Sequence, residues 1–368
     1  MKIAVFHELS FGGAKRACYE LSKKLSKKFN VDLYYVDIEK DKEVKKYFRN
    51  VYYYNFLPKH WIGNDWKSRL YKDTIELFNL YKLHKRIAKD ISLRRYDCVI
   101  VHPSRYTQAP FILRFLVCPT IYFCQEPLRI VYDKHINQMP SMSFYEKLYE
   151  AINRKIRKII DKSNIGKADM ILVNSLFSED WVRASYDLQS EICYLGVDEE
   201  KFKPLNLKKE YDLLFFGSKN KLGGYDLLNE AVRLFKIEPI IKIIIKDLGE
   251  KDRVSDKELV REYNKSKIIL ALSRNEPFGL TVLEAMASGV PVIAINEGGF
   301  AESVVDGKTG LLVSRNAISL RDAIRSLLSD NNLRLSMGNQ ARENIALNWT
   351  WEKSVEKLEE YIKILTKK

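Results

Sequence analysis

The chain has 368 residues, 46% hydrophobic and 30% charged, with 62 Lys+Arg against 48 Asp+Glu and a formal charge of +14. That length fits about two domains, each with its own core, and the apolar share with only 16 Gly and 10 Pro excludes disorder and collagen-like repeats. The basic excess is spread along the chain and favours anionic partners in general: nucleotides, phospholipid surfaces or nucleic acids.

Met1–Glu8 lacks the long apolar core of a cleavable leader and reads as a first strand. Ala14–Phe29 follows as a helix with Ala17, Leu21, Leu25 and Phe29 on one face. Further strands are expected at Val31–Val36, Asp97–Val101, Thr120–Phe123, Met170–Val173 and Glu191–Tyr194. The second half supplies Tyr211–Phe216, Ile240–Lys246, Ile268–Leu272, Val290–Ala294 and Gly310–Val313. Most are continuous apolar runs alternating with helical stretches, the pattern of parallel sheets covered on both faces. The polar stretch from Gly196 to Asn206 marks the boundary. Two doubly wound α/β domains follow, 1–195 and 196–349, with a final amphipathic helix over 350–368 crossing back to the first. No run of about 18 uncharged apolar residues occurs, since Arg114 breaks the stretch from Pro110 to Cys124, so no membrane span is expected. Five cysteines without a CxxC pair read as buried free thiols of a cytoplasmic protein.

The densest chemistry lies in Ser273–Ile293. A strand ends just before Glu276, a tight turn at Pro277-Phe278-Gly279 opens a helix at Leu280, and Glu284 sits about one turn into it. The first N–H groups of such a helix carry partial positive charge and bind anions, and crevices beyond strand ends are where doubly wound sheets hold ligands. A diphosphate on those amides, with a carboxylate on either side for sugar hydroxyls, makes a coherent sugar-nucleotide site. The plainer alternative has Glu276 closing the turn and Glu284 solvated on the helix.

These residues resemble the E-x7-E signature of the GT4 family of retaining glycosyltransferases. The likeness extends to the Phe11–Arg16 loop (FGGAKR), to Ala168–Ser178 (ADMILVNSLFS), to Gly196–Pro204 (GVDEEKFKP) and to Glu297–Val313 (EGGFAESVVDGKTGLLV). It implies the GT-B fold, two Rossmann-like domains facing across a cleft, and transfer of a hexose from a UDP-, GDP- or ADP-hexose to a glycan, lipid-linked or protein-linked acceptor. By that resemblance Glu276 contacts the donor sugar near its reacting carbon and Glu284 the ribose. The turn Pro277-Phe278-Gly279-Leu280 takes the phosphates, and Gly12 and Gly13 let backbone approach the donor. No D-x-D occurs in the sequence, which fits a metal-independent reaction with no cofactor beyond the nucleotide sugar itself.

Two stretches depart from the family pattern. Ser218 stands where an Arg is usual and Gly223 where a Lys is usual, leaving Lys219 and Lys221 inside the loop as candidate phosphate ligands. Gln125 stands where relatives often carry His; it can bind sugar but cannot titrate near neutral pH. His102, at the end of the preceding strand, is the candidate replacement for it. His7 and Glu8, ending the first strand, face either a crevice or the packed interior.

Basic residues interleave with apolar ones in Trp66–Tyr96 and Lys147–Lys162. Helices of this kind lie on anionic membranes or pack inward with a solvated cationic face. The sequence therefore reads as a cytoplasmic glycosyltransferase, with association with an anionic membrane surface left open. A catalytically silent GT-B protein that binds sugar nucleotide or a partner is the alternative. A nucleic-acid-binding protein, which charge alone suggests, lacks any RNP, KH or helix-turn-helix signature.

Overall fold

Apolar runs too short for helices, separated by amphipathic segments, fold here into two parallel sheets flanked by helices. The structure is a computed structural model. It describes the chain apart from residues 11, 41–43, 59–65, 137–142, 220–221, 246–253 and 368, and the side chains of 46 and 66–68. Two compact units result: residues 1–174, 179–193 and 355–368 form the first, and 175–178 with 194–354 the second.

The first unit runs β1 (Lys2–Glu8), α1 (Gly13–Leu25), β2 (Asn30–Asp37), β3 (Asn50–Asn55), α2 (Trp66–Tyr71) and α3 (Leu77–Ser92). It continues through β4 (Cys98–Ser104), β5 (Thr120–Phe123), α4 (Arg129–Tyr132), α5 (Phe144–Ile165), β6 (Met170–Val173), α6 (Leu176–Tyr186) and β7 (Glu191–Ile192). The seven strands lie in the order β3-β2-β1-β4-β5-β6-β7 and pair in parallel throughout. Strand β3, the run Val-Tyr-Tyr-Tyr, is absent from the strands expected from sequence. It pairs only with β2, so its side chains stay half-buried and its pattern is weak. One core cluster fills the unit around Phe6, Val99, Val101, Tyr122 and Val173.

The second unit begins with β8 (Tyr211–Gly217), α7 (Tyr225–Val232), β9 (Ile241–Ile245), α8 (Asp256–Lys265) and β10 (Ser266–Ala271). After these come α9 (Leu280–Ala287), β11 (Val292–Ile295), α10 (Phe300–Ser303), β12 (Gly310–Val313), α11 (Ala317–Ser329), α12 (Asn331–Asn348) and α13 (Trp351–Thr366). Its sheet order is β12-β11-β10-β8-β9, again all parallel. From Val355 onward α13 belongs to the first unit: the Tyr361 hydroxyl donates to the Ile192 carbonyl at 3.1 Å and Lys28 pairs with Glu359 at 2.9 Å. Four of the five cysteines are buried and all five are free thiols.

The two basic helices behave in opposite ways. Helix α3 buries Leu77, Leu80, Ile87 and Ile91, as inward packing requires. Helix α5 buries Glu150, Asp161, Asn164 and Ile165 and leaves Tyr145, Leu148, Ile152, Ile156 and Ile159 exposed. Core packing of its isoleucines, one of the two readings of that stretch, therefore holds for none of these three. Asp161 accepts from the Tyr186 hydroxyl at 2.5 Å and the Ala109 amide at 2.9 Å.

Burial outweighs those two hydrogen bonds and pushes the Asp161 carboxyl up to about 7. A carboxyl whose pKa is higher folded than unfolded favours the native state fully below its unfolded value of about 4, and that contribution is lost as pH rises through the folded value. The thermal midpoint should therefore decline between about pH 4 and about pH 7. In Asp161→Asn this part of the decline should disappear when thermal unfolding is followed across the same range.

Candidate functional site

In the second sheet the chain lays β9 on one side of β8 and then crosses to place β10 on the other. The strand order reverses between β8 and β10, and the carboxyl ends at such a reversal are where open α/β sheets receive ligands. The loops leaving those two ends touch, with the Arg274 amide donating to the Leu222 carbonyl at 2.7 Å.

The loop after β10 is built by backbone closure. Asn275 and Gly279 both take positive φ, 48° and 92°, and Gly279 caps the start of α9. The Gly299 amide donates to the Glu276 carbonyl at 2.9 Å. A Cβ at Gly298 would lie 2.5 Å from that carbonyl oxygen, and one at Gly299 2.5 Å from the Pro277 oxygen. Both glycines are thus required for the contact itself. From the segment Ser175–Ser178, the Ser175 hydroxyl donates to the Pro277 carbonyl at 2.6 Å. The Phe278 ring packs with Tyr194 and Trp349, at centroid distances of 6.4 and 5.8 Å. Glu302 accepts from the Leu176 and Phe177 amides at 2.8 and 2.9 Å and from the Tyr194 hydroxyl at 3.0 Å. Arg315 forks onto Glu297 and also donates to the Leu272 and Ser273 carbonyls, which fixes the strand end just before the loop.

Held this way, the amides of Phe278, Gly279, Leu280 and Thr281 find no acceptor among the described residues. Pro277 has no amide and contributes its carbonyl to the closure. Glu276 stands half-exposed in the loop. Glu284 is not solvated on its helix: it is buried, and the Tyr263 hydroxyl of α8 donates to it at 2.9 Å. The loop thus offers unpaired N–H groups with a carboxylate at each end, geometry suited to an anion flanked by hydroxyl-bearing groups.

The loop after β8 packs its backbone closely at Gly223. A Cβ at Gly223 would fall 2.1 Å from the Ser218 carbonyl oxygen and 2.6 Å from its nitrogen, so no larger residue fits there in this conformation. Ser218 is half-buried and Lys219 exposed, its ammonium 5.9 Å from the Tyr225 ring centroid. Lys221 lies outside the described residues.

In the first unit the order reverses between β1 and β4. Gly12, with φ 149°, precedes Gly13 at the start of α1, and a Cβ on Gly12 would meet nothing within 4 Å, so the glycine serves conformation and leaves the approach open. The Gln125 amide reaches the Ala14 carbonyl at 3.4 Å, joining the end of β5 to the same turn. His102 is buried, stacks on Phe123, and is held by burial at a pKa of about 3. It is neutral at neutral pH and cannot supply a proton there as a charged acid. His7 and Glu8 are packed inside: burial lowers the pKa of His7, which stacks on Tyr35, and Glu8 meets His84 Nε2 at 2.6 Å. Among the described residues no group of three or more His, Cys, Asp or Glu is arranged to hold a metal.

Sequence reasoning named Glu276, Glu284 and the turn between them but missed their supports. Ser175 and Glu302 lay inside stretches already singled out, with no signal of what they touch. Tyr263 and Arg315 carried no signal, since their partners come from elsewhere in the chain.

The resemblance noted in the sequence is borne out by comparison with known proteins. Residues 247–344 match the family described as Glycosyl transferases group 1. A D-inositol 3-phosphate glycosyltransferase of Corynebacterium urealyticum is 28% identical over 254 residues, 57% of this chain and 60% of the relative. The chain covers less than two thirds of such curated relatives, as little as 22% of another. Sucrose-phosphate synthase from Thermosynechococcus elongatus superposes with a TM-score of 0.73 at 16% identity, covering 99% of this chain and 98% of that one. Anabaena HepE, solved in complex with UDP-glucose, gives 0.68 at 16% identity with 99% of each chain covered. These two likenesses establish the fold, which is GT-B.

The Tyr263 hydroxyl is the most direct support of a buried carboxylate here. Tyr263→Phe keeps the ring and removes the donor, and should lower stability by about 1–3 kcal/mol. Denaturant unfolding should show the loss, and an unchanged profile would remove Tyr263 from the site.

Proposed function

We propose that this chain, with its group 1 glycosyltransferase segment on a GT-B fold, is a retaining hexosyltransferase that uses a nucleotide-diphosphate sugar. The observation that carries the reading is the clamped turn from Glu276 to Leu280, whose Phe278, Gly279 and Leu280 amides find no acceptor among the described residues and lie between a half-exposed and a buried carboxylate. The amides of Phe278, Gly279 and Leu280 hold the diphosphate, Glu284 the ribose hydroxyls and Glu276 the hexose. The family match and the UDP-glucose carried by HepE support a UDP-hexose or a related donor.

In the transfer the bond from the anomeric carbon to the phosphate oxygen breaks while the acceptor oxygen bonds to the same face of that carbon. The acceptor's proton passes to the departing phosphate oxygen, so no side-chain base is needed. Negative charge grows on the diphosphate, and oriented amides stabilise it more in the transition state than in the ground state. Ser218, Lys219 and Lys221 supply the polar and cationic remainder. No metal or cofactor enters this scheme. The acceptor is a glycan, a lipid-linked sugar or a protein-linked glycan.

The packing of Gly223 onto Ser218 favours one other reading, a protein that binds the donor without turnover. Released nucleotide measured with UDP-, GDP- and ADP-hexoses separates the two. Glu276→Ala should cut transfer by roughly a hundredfold or more with the thermal midpoint unchanged, and retained α-configuration of the transferred sugar should appear by NMR. Full turnover in that variant would reject the site, and tight donor binding without nucleotide release from any donor would favour the silent protein.

A further inference from the structure

Helix α5 is amphipathic in the reverse sense from a core helix. Its inward side is polar: Tyr149, Asn153 and Arg157 converge on Asp73, Glu150 meets Arg69, Asp161 meets Tyr186, and Asn164 meets Arg114. Its outward side carries Tyr145, Leu148, Ile152, Ile156 and Ile159, each between 48% and 81% exposed. At 100° per residue these five fall within an arc of roughly 80°, and the stripe runs about 20 Å along the axis. Lys147, Lys155, Lys158 and Lys162, all exposed, occupy the adjoining arc of roughly 80°. Within Phe144–Ile165 the exposed charged side chains are those four lysines and Glu146, so the stripe has a cationic border.

The helix is fixed by a capping box at Ser143 and Glu146 and by the polar contacts beneath it. Its apolar face is therefore presented on an anchored element and is not the product of a frayed segment. Leaving five large apolar side chains in water is costly, and contiguous exposed apolar surface of this kind marks an interaction site. A straight apolar stripe bordered along its length by lysines matches the boundary of a bilayer, where acyl chains take the apolar arc and anionic headgroups take the ammonium groups. Helix α3 adds Phe78, exposed beneath the Lys82 ammonium at 4.3 Å, with exposed Lys85, Arg86 and Lys89 on the same element. Among the described residues no helix is long and apolar enough to cross a membrane, so contact of this kind is with a surface.

We infer that α5 is a membrane-docking face that lays its Tyr145–Ile159 stripe into the surface of an anionic bilayer. This rests on the exposed side chains of the first unit and is independent of the transfer chemistry proposed for the second.

The test is flotation of the full-length chain with vesicles of phosphatidylcholine alone or mixed with phosphatidylglycerol. Binding to the mixed vesicles is expected, weakening as salt is raised. The double variant Ile152→Glu/Ile159→Glu should lose roughly tenfold or more of its vesicle binding. Lys155→Ser/Lys158→Ser should weaken binding and flatten its salt dependence. Leu335→Glu, an exposed change in the second unit, should bind as the native chain does. Matching thermal midpoints establish that the variants are folded. Failure of the native chain to float with anionic vesicles, or undiminished binding by the isoleucine variant, overturns the proposal. So does a native dimer in light scattering that Ile152→Glu/Ile159→Glu converts to monomer without vesicle binding, since a second copy of the chain would then own the stripe.

Discussion

The candidate site depends on one backbone-to-backbone contact. The turn at Gly298 and Gly299 lies against the carbonyls of Glu276 and Pro277 so closely that a single Cβ would force it away. That contact, with the Gly299 amide on the Glu276 carbonyl, holds Asn275 and Gly279 in left-handed conformations that the loop would otherwise leave. With the loop fixed, the first amides of α9 find no acceptor among the described residues. Ser175, Phe278 with its two aromatic neighbours, and Arg315 brace the same turn from three sides. An oxyanion or diphosphate site works by preorganisation, because dipoles that need not reorient cost nothing when charge develops.

The two carboxylates of the turn sit in different surroundings. Glu284 is enclosed and accepts a hydrogen bond from a tyrosine hydroxyl, which holds it in one geometry. Glu276 is half-exposed on a loop. The loop after β8 is the counterpart where the chain has changed. Gly223 presses on Ser218, so no side chain fits at that position in this conformation.

Helix α5 illustrates a separate constraint. A polar inward face needs its buried groups partnered, and the Asp73, Glu150, Asp161 and Asn164 contacts supply much of that. The outcome is a helix whose apolar side chains are left exposed. The same element that raises the Asp161 pKa by burial therefore also carries the surface stripe.

Much of this could be read from the sequence. Continuous apolar runs announced parallel strands, and eleven strands were expected close to where they lie, because period and β-branched content are local properties. The Glu276–Glu284 spacing with Pro277 and Gly279 between them located the turn and the helix start, since capping and breaker residues act over a few positions. Strand β3 escaped because a tyrosine run at an edge has no alternation to detect. What tertiary structure alone decided is which groups meet across long stretches of chain. Tyr263 reaching Glu284, Gly298 meeting Glu276, His7 and Glu8 turning inward, and α5 facing its isoleucines outward all depend on neighbours brought by the fold. A one-dimensional pattern gives a helix two faces; only the packing of the rest of the chain determines which of them water sees.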